Sequence, residues 1–259
     1  MTEMKKKWKK IGRYIWELVK GALPSCLMFA CAGAVLVLVA MRGEVTELRW
    51  SNGKVAWTVI CLAAGIAYAA AMAFIGGGNG YEMLVTGNVK RMSEKDMKMS
   101  KHVEAKEYRV WKGFVIGGII ALIPLTSGLF FGANQEKVDA MLYDINFDKE
   151  TGQGASTGFA LLVIVSLFLS GLSLMPFFLS NATIIATYGS ARISYYFGCL
   201  FALIPIVVVG VMYIVGAYAK RAKNLRKQAI AEASEAAQAN REKKINYGAL
   251  PGTKPKKRK

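Results

Sequence analysis

The sequence predicts an all-α fold: a polytopic transmembrane helical bundle of five long spans, a short or re-entrant sixth segment, and a possible internal duplication. Three observations carry this. Apolar residues make up 54% of the 259 positions and gather in long runs, not in the periodic faces of a soluble domain. Five runs (23–41, 55–75, 113–132, 158–180 and 195–218) reach the roughly 20 residues that a helix needs to cross a hydrocarbon core. All 34 Lys and Arg and all 17 Asp and Glu lie outside those runs. A charge at the centre of a bilayer costs about 2.5–3.5 kcal/mol, so spans that face lipid exclude it. Barrel strands would alternate over about ten residues. These runs do not alternate, and helices are the other way to satisfy a backbone in lipid.

Taken in order, the chain divides into a basic amphipathic N-terminal segment (1–22), a membrane domain (23–219) and a basic tail (220–259). Within residues 4–20, Trp8, Ile11, Ile15, Leu18 and Val19 share a helical face, and Lys5, Lys6, Lys7, Lys9, Lys10 and Arg13 supply charge. Such a segment either lies in the headgroup plane or serves as a basic flank that orients the first span. The long apolar core behind it reads as a retained span, not a cleaved leader. Pro24 falls where the first helical turn of that span is expected, a position that tolerates proline.

Loop charge sets the topology. Lys and Arg number seven in 1–22, three in 42–54, eight in 76–112, two in 133–157, one in 181–194 and thirteen in 219–259. The positive-inside rule places the N-terminus, the 76–112 loop and the tail in the cytoplasm of a cell-membrane protein. Five crossings cannot do this, because an odd number puts the tail outside. Six crossings would leave 28 basic residues inside and 6 outside. The extra crossing or re-entrant piece is expected at 175–191, an uncharged stretch rich in Ser, Asn and Thr. There Pro176 can end one helix and open the next.

Two regions resemble one another. Residues 79–90 and 181–192 both begin with Asn and a small residue and end in Gly-small-x-basic. Each follows an apolar span and precedes a copy of Gly-x-x-x-Ala-Leu-Ile-Pro, at 117–124 and 198–205. A duplicated unit would be a transporter feature, with the binding site at broken helices near the repeat interface. Under the six-crossing arrangement the repeat is strained, because the first copy ends directly in Lys90 and Arg91.

The candidate polar and hinge residues follow. The tract 76–82 has four glycines in five residues, so Gly78 and Gly80 read as a hinge or as a flexible span end. Asn79 and Glu82 beside them offer an amide and a carboxylate to a cation or a substrate amine. Asn181 and Thr183 are their counterparts in the second copy. Pro124 and Pro205 stand about midway along spans, where each removes a helix hydrogen bond and invites a kink. Thr126, Ser127, Ser166, Ser170 and Ser173 are mild polar groups that hydrogen-bond to their own helix or a neighbour.

Some function classes recede. No HExxH, phosphate-binding loop or Ser/His/Asp set is present, so an enzyme is not expected. The four cysteines form no CxxC pair and read as small apolar groups, and the lone His102 reads as a solvated loop residue. No metal or cofactor is expected. The spans contain no Asp, Glu or His, which argues against a proton relay. The reading that remains is a permease or transport subunit for a small solute. The alternative is a membrane-embedded accessory or assembly protein acting through partners. Expected partners are the bilayer, with anionic headgroups at the basic N-terminus and tail, and a membrane protein or second copy. The run 256–259 reads as a solvated, topology-fixing end, so nucleic acid is not an expected partner.

Overall fold

The computed structural model describes residues 2–40, 50–86, 106–143, 157–188 and 193–246, and every regular element among them is helical. In chain order these are α1 (Thr2–Ala40), α2 (Asn52–Val85), α3 (Val110–Ala133), α4 (Gln135–Tyr143), α5 (Thr157–Tyr188), a 3-10 turn (Tyr195–Phe197), α6 (Gly198–Phe201) and α7 (Leu203–Asn246). Five stretches of helix are long and apolar enough to cross a membrane, and they coincide with the five expected runs. The chain is a multi-pass membrane protein of the all-α class. One compact unit ends at Ala217 and a second begins at Tyr218.

In the first unit, aromatic and hydrogen-bonded contacts mark two ends. At one, the Tyr14 ring of α1 lies 5.7 Å from Trp111, and the Tyr108 amide donates to the Gly80 carbonyl at 3.1 Å. At the other, the Trp50 amide donates to Thr183 Oγ1 at 3.0 Å, and the Trp50 indole donates to Ser180 Oγ at 3.1 Å. α1 and α3 run from the Tyr14 end to the Trp50 end, and α2 runs back. α7 also returns: Tyr196, just before it, packs on Gly132, whereas its Tyr213 packs on Gly113 and Gly77.

α5 does not run the length of the unit. The ring path Phe159–Phe130–Phe131–Phe178 has legs of 5.8, 5.6 and 5.3 Å, so the Phe159 and Phe178 rings lie at most about 17 Å apart. Nineteen residues of straight helix would separate them by about 28 Å, and side-chain reach of roughly 4 Å at each end does not close the gap. α5 is bent. Its interior is covered all round at Ser170, Gly171, Leu172, Ser173, Leu174 and Met175, all buried, where a straight surface helix would expose one face. Those residues lie directly N-terminal to Pro176, where the missing N–H and the ring clash with the preceding turn produce a kink. The core agrees. The cluster around Phe131, Phe178 and Tyr195 takes residues of α5 from Phe159 to Ala182. The cluster around Ala22, Ala73, Ile120 and Tyr213 takes none from α5. Both arms of α5 therefore belong to the Trp50 end.

Four helices thus pass between the two ends and α5 returns to its own, which makes the number of passages even. The sixth segment expected at 175–191 is not a separate helix: through Tyr188 it is the second arm of α5, and 189–192 lie outside the described residues. Pro176 bends the helix where a boundary was expected.

Other expectations change. Residues 4–20 are not a separate segment, because α1 continues through them into the span, with Pro24 in its interior. Flanking Ala22 and Ser25 are buried, so packing holds the helix through the lost backbone bond. The amphipathic stripe divides, with Leu18 buried and Trp8, Ile11 and Ile15 exposed. The glycine tract does not end the helix: α2 runs through it to Val85. Its reason is close approach: Gly77 and Gly80 are buried against Tyr213 and Tyr108. Pro205 is not mid-helix but the third residue of α7, after an irregular stretch; Pro124 does lie within α3.

In the second unit, α7 continues from Tyr218 to Asn246, and from Tyr218 to Arg241 nearly every side chain is exposed, Leu225 and Ile230 included. This agrees with the helical reading of 220–245. Residues 247–259 lie outside the described residues, as does His102.

Candidate functional site

The bend of α5 meets α1, α2, α3 and the α6–α7 junction around a cavity of about 40 Å³. That is room for about three waters, or for a solute of a few heavy atoms. Its wall is largely apolar and holds no charged side chain; Cys26, Pro124, Ser170, Ser173, Phe201 and Pro205 are among the lining residues. Ser170 Oγ donates to Ser127 Oγ at 2.5 Å, tying the bend to α3, and Ser173 Oγ donates to the Ser170 carbonyl at 2.8 Å. Both of the outcomes expected for the span serines therefore occur, one between helices and one within a helix.

Small residues let the helices come this close. A Cβ on Gly171 would stand 2.7 Å from the Gly33 carbonyl oxygen, and one on Gly117 would stand 2.8 Å from the Pro205 carbonyl oxygen. Cys199 Sγ donates to the Leu125 carbonyl at 3.8 Å. Gly117 therefore faces Pro205 while Leu125 faces Cys199, and the two Gly-x-x-x-Ala-Leu-Ile-Pro segments lie antiparallel against one another. Their two prolines both line the cavity. The preceding similar segments, from Asn79 and from Asn181, sit at opposite ends of the unit.

The predicted residues divide into three groups. Pro124 and Pro205 come together on the cavity. Gly78, Asn79, Gly80 and Glu82 lie at the Tyr14 end. Gly80 lies under the Tyr213 hydroxyl and accepts from Tyr108, and the Glu82 carbonyl accepts from Thr86. Asn181 and Thr183 lie at the Trp50 end and do not join Asn79 and Glu82. Asn181 is fully buried in a structural clasp: its Oδ1 accepts from the Ile193 amide at 2.6 Å, and its Nδ2 donates to the Ile193 carbonyl at 2.9 Å. Thr183 accepts from Trp50 and donates to the Leu179 carbonyl at 2.8 Å.

Three polar positions escaped the sequence. Asp139 of α4 is fully buried and accepts from the Tyr195 hydroxyl at 2.5 Å. Among the five acids of the 133–157 loop, nothing in the sequence marks it out. Lys112 is 3% exposed and donates to the Glu107 carbonyl. Its neighbours Tyr108 and Trp111 were a usable signal, since aromatic residues shield a lysine stem near a span end. Trp50 follows the charged 42–49 stretch, and its partners are about 130 positions away.

Among the described residues no group of three His, Cys, Asp or Glu could hold a metal ion. No protein-family model, curated protein or solved structure matches this chain.

Proposed function

We propose that this is a cell-membrane permease or transport subunit that passes a small, uncharged solute through the cavity at the bend of α5. The observation that carries the reading is the placing of that cavity. It lies where a bent helix meets the two antiparallel proline segments, and discontinuous helices at a repeat interface are where transporters bind their cargo. The absence of charged side chains from the lining argues for an uncharged solute, because an ion would be desolvated there without compensation. The even number of passages supports a cytoplasmic N-terminus, 76–112 loop and tail, with 28 of the 34 basic residues on that side.

The test is osmotic swelling of proteoliposomes in small uncharged solutes such as glycerol or urea. Swelling above that of empty liposomes is expected. A small thiol reagent acting on Cys26 should block it, and Cys26→Ala should restore it. Protein-independent swelling for every solute would overturn the reading.

A second reading rests on the second unit. Its exposed helix with uncovered Leu225 and Ile230 suits an accessory protein that docks on a partner. Deleting residues 220–259 separates the two: a permease keeps its flux, whereas an accessory protein loses its co-purifying partner.

A further inference from the structure

A proline inside a helix has no N–H, and the group that loses its helical donor is the carbonyl four residues earlier. Four prolines lie in the described residues. Pro124 removes the donor to the Ile120 carbonyl, and Pro176 removes the donor to the Leu172 carbonyl. Phe201 ends α6, and the residue four places on, where its carbonyl would find an N–H, is Pro205. Ile120, Leu172 and Phe201 all line the cavity at the bend of α5. The fourth proline, Pro24, removes the donor to Lys20, which does not line it.

In membrane helices, neighbouring hydroxyls often take over such carbonyls. Here the nearby side chains are engaged elsewhere. Thr126 Oγ1 donates to the Leu122 and Ile123 carbonyls at 2.8 and 3.0 Å, and Cys199 Sγ to the Leu125 carbonyl at 3.8 Å. Of the hydroxyls on the wall, Ser173 donates to the Ser170 carbonyl and Ser170 to Ser127. Both keep lone pairs and have no hydrogen left to offer. Among the described lining residues, the remaining side-chain donor is the Cys26 thiol, a weak one. The polar chemistry of the wall is therefore that of acceptors. A solute bearing N–H groups finds partners there, whereas one bearing only acceptors sets lone pair against lone pair. A bare cation would also meet oxygen, but the wall is largely apolar and holds no carboxylate to offset its desolvation.

We infer that the cavity selects small neutral solutes rich in N–H donors, of the urea and primary amide class, and that Pro124, Pro176 and Pro205 create this selectivity by freeing three carbonyls. The inference rests on the cavity being the solute's site, and it adds what the solute must carry.

Urea and acetone share one heavy-atom skeleton, with amino groups in one and methyls in the other, so the pair isolates the donors. The experiment places the full chain in nanodiscs, treats it with methyl methanethiosulfonate and reads modification of Cys26 by peptide mass spectrometry. Urea below its denaturing range should slow modification, and about tenfold more acetone should be needed to match it. Pro124→Ala, which returns an N–H to Ile120, should weaken protection by urea about threefold to tenfold and leave acetone unchanged. Pro24→Ala should alter neither. Equal protection by the two solutes, or protection by neither, would overturn the inference. So would undiminished urea protection in Pro124→Ala and Pro205→Ala, and the wild-type comparison stays decisive where a variant fails to fold. Protection by ammonium chloride in place of urea would assign the carbonyls to a cation and overturn the neutral solute. Urea-driven swelling of proteoliposomes without discrimination at Cys26 would leave transport standing and sink the donor selectivity; discrimination without swelling would do the reverse.

Discussion

Replacing Gly77 with alanine tests the helix contact that the glycine tract was placed to make. A Cβ at Gly77 would stand 1.9 Å from the Tyr213 carbonyl oxygen and 2.8 Å from its carbon; in the mirror contact, a Cβ at Gly216 would stand 2.0 Å from the Phe74 carbonyl oxygen. Non-bonded heavy atoms rest near 3.5 Å, so α2 and α7 would have to part by about 1.5 Å. The obstacle is backbone, which cannot turn aside as a side chain would. Overpacking costs typically 1–3 kcal/mol, and a displacement of this size belongs near the upper value, about 3. Alanine returns about 0.5–1 kcal/mol through its better helix propensity, leaving a net loss of about 2 kcal/mol. Gly118→Ala is the control. No atom lies within 4 Å of its added methyl, so only the propensity gain of about 0.5–1 kcal/mol remains. Equilibrium unfolding in mixed micelles, followed by helical circular dichroism, should separate the two variants by about 3 kcal/mol in opposite directions from wild type. A Gly77→Ala protein as stable as Gly118→Ala would refute the close α2–α7 contact.

Tyr195→Phe removes the hydroxyl that donates to buried Asp139 and should cost about 1.5–3 kcal/mol in the same unfolding assay. Asn181→Leu keeps the volume and removes both bonds to Ile193; hydrogen exchange at the Ile193 amide should quicken at least about tenfold, while amides in the middle of α3 keep their protection. A double-mutant cycle of Ser127→Ala and Ser170→Ala should give a coupling of about 0.6 kcal/mol, and no more than about 1.7, as befits a neutral hydrogen bond between membrane helices.

The spans were legible because the penalty for a buried charge is local and large: every residue of a run carries it, and 23–41 or 55–75 can be read without knowing the neighbours. The bend of α5 was half legible. Loop charge demanded an even number of passages, and Pro176 marked the right neighbourhood. The sequence could not say whether a proline ends a helix or bends it, because that depends on Gly33 and Ser127, the residues that pack on Gly171 and bond to Ser170. The glycine tract was ambiguous for the same reason. Glycine serves a hinge and a tight helix contact alike, and only the position of Tyr213 decides between them. Pro124 and Pro205 were found by a local rule about missing N–H groups, whereas their meeting on one cavity follows from the antiparallel pairing of α3 and α7. Asp139 and Asn181 are structural through partners that lie 56 and 12 positions away, and no spacing rule links such pairs.

The central claim is that α5 returns to its own end, so that the chain makes four passages and departs from the first unit on the side where it began. Split-reporter fusions at the N-terminus and behind the tail, each read for cytoplasmic complementation in intact cells, test it directly. The account predicts that both complement on the same side as a reporter inserted in the 76–112 loop, while one inserted in 144–156 does not. An N-terminal and a C-terminal reporter on opposite sides of the membrane would show α5 to be a fifth crossing and would contradict it.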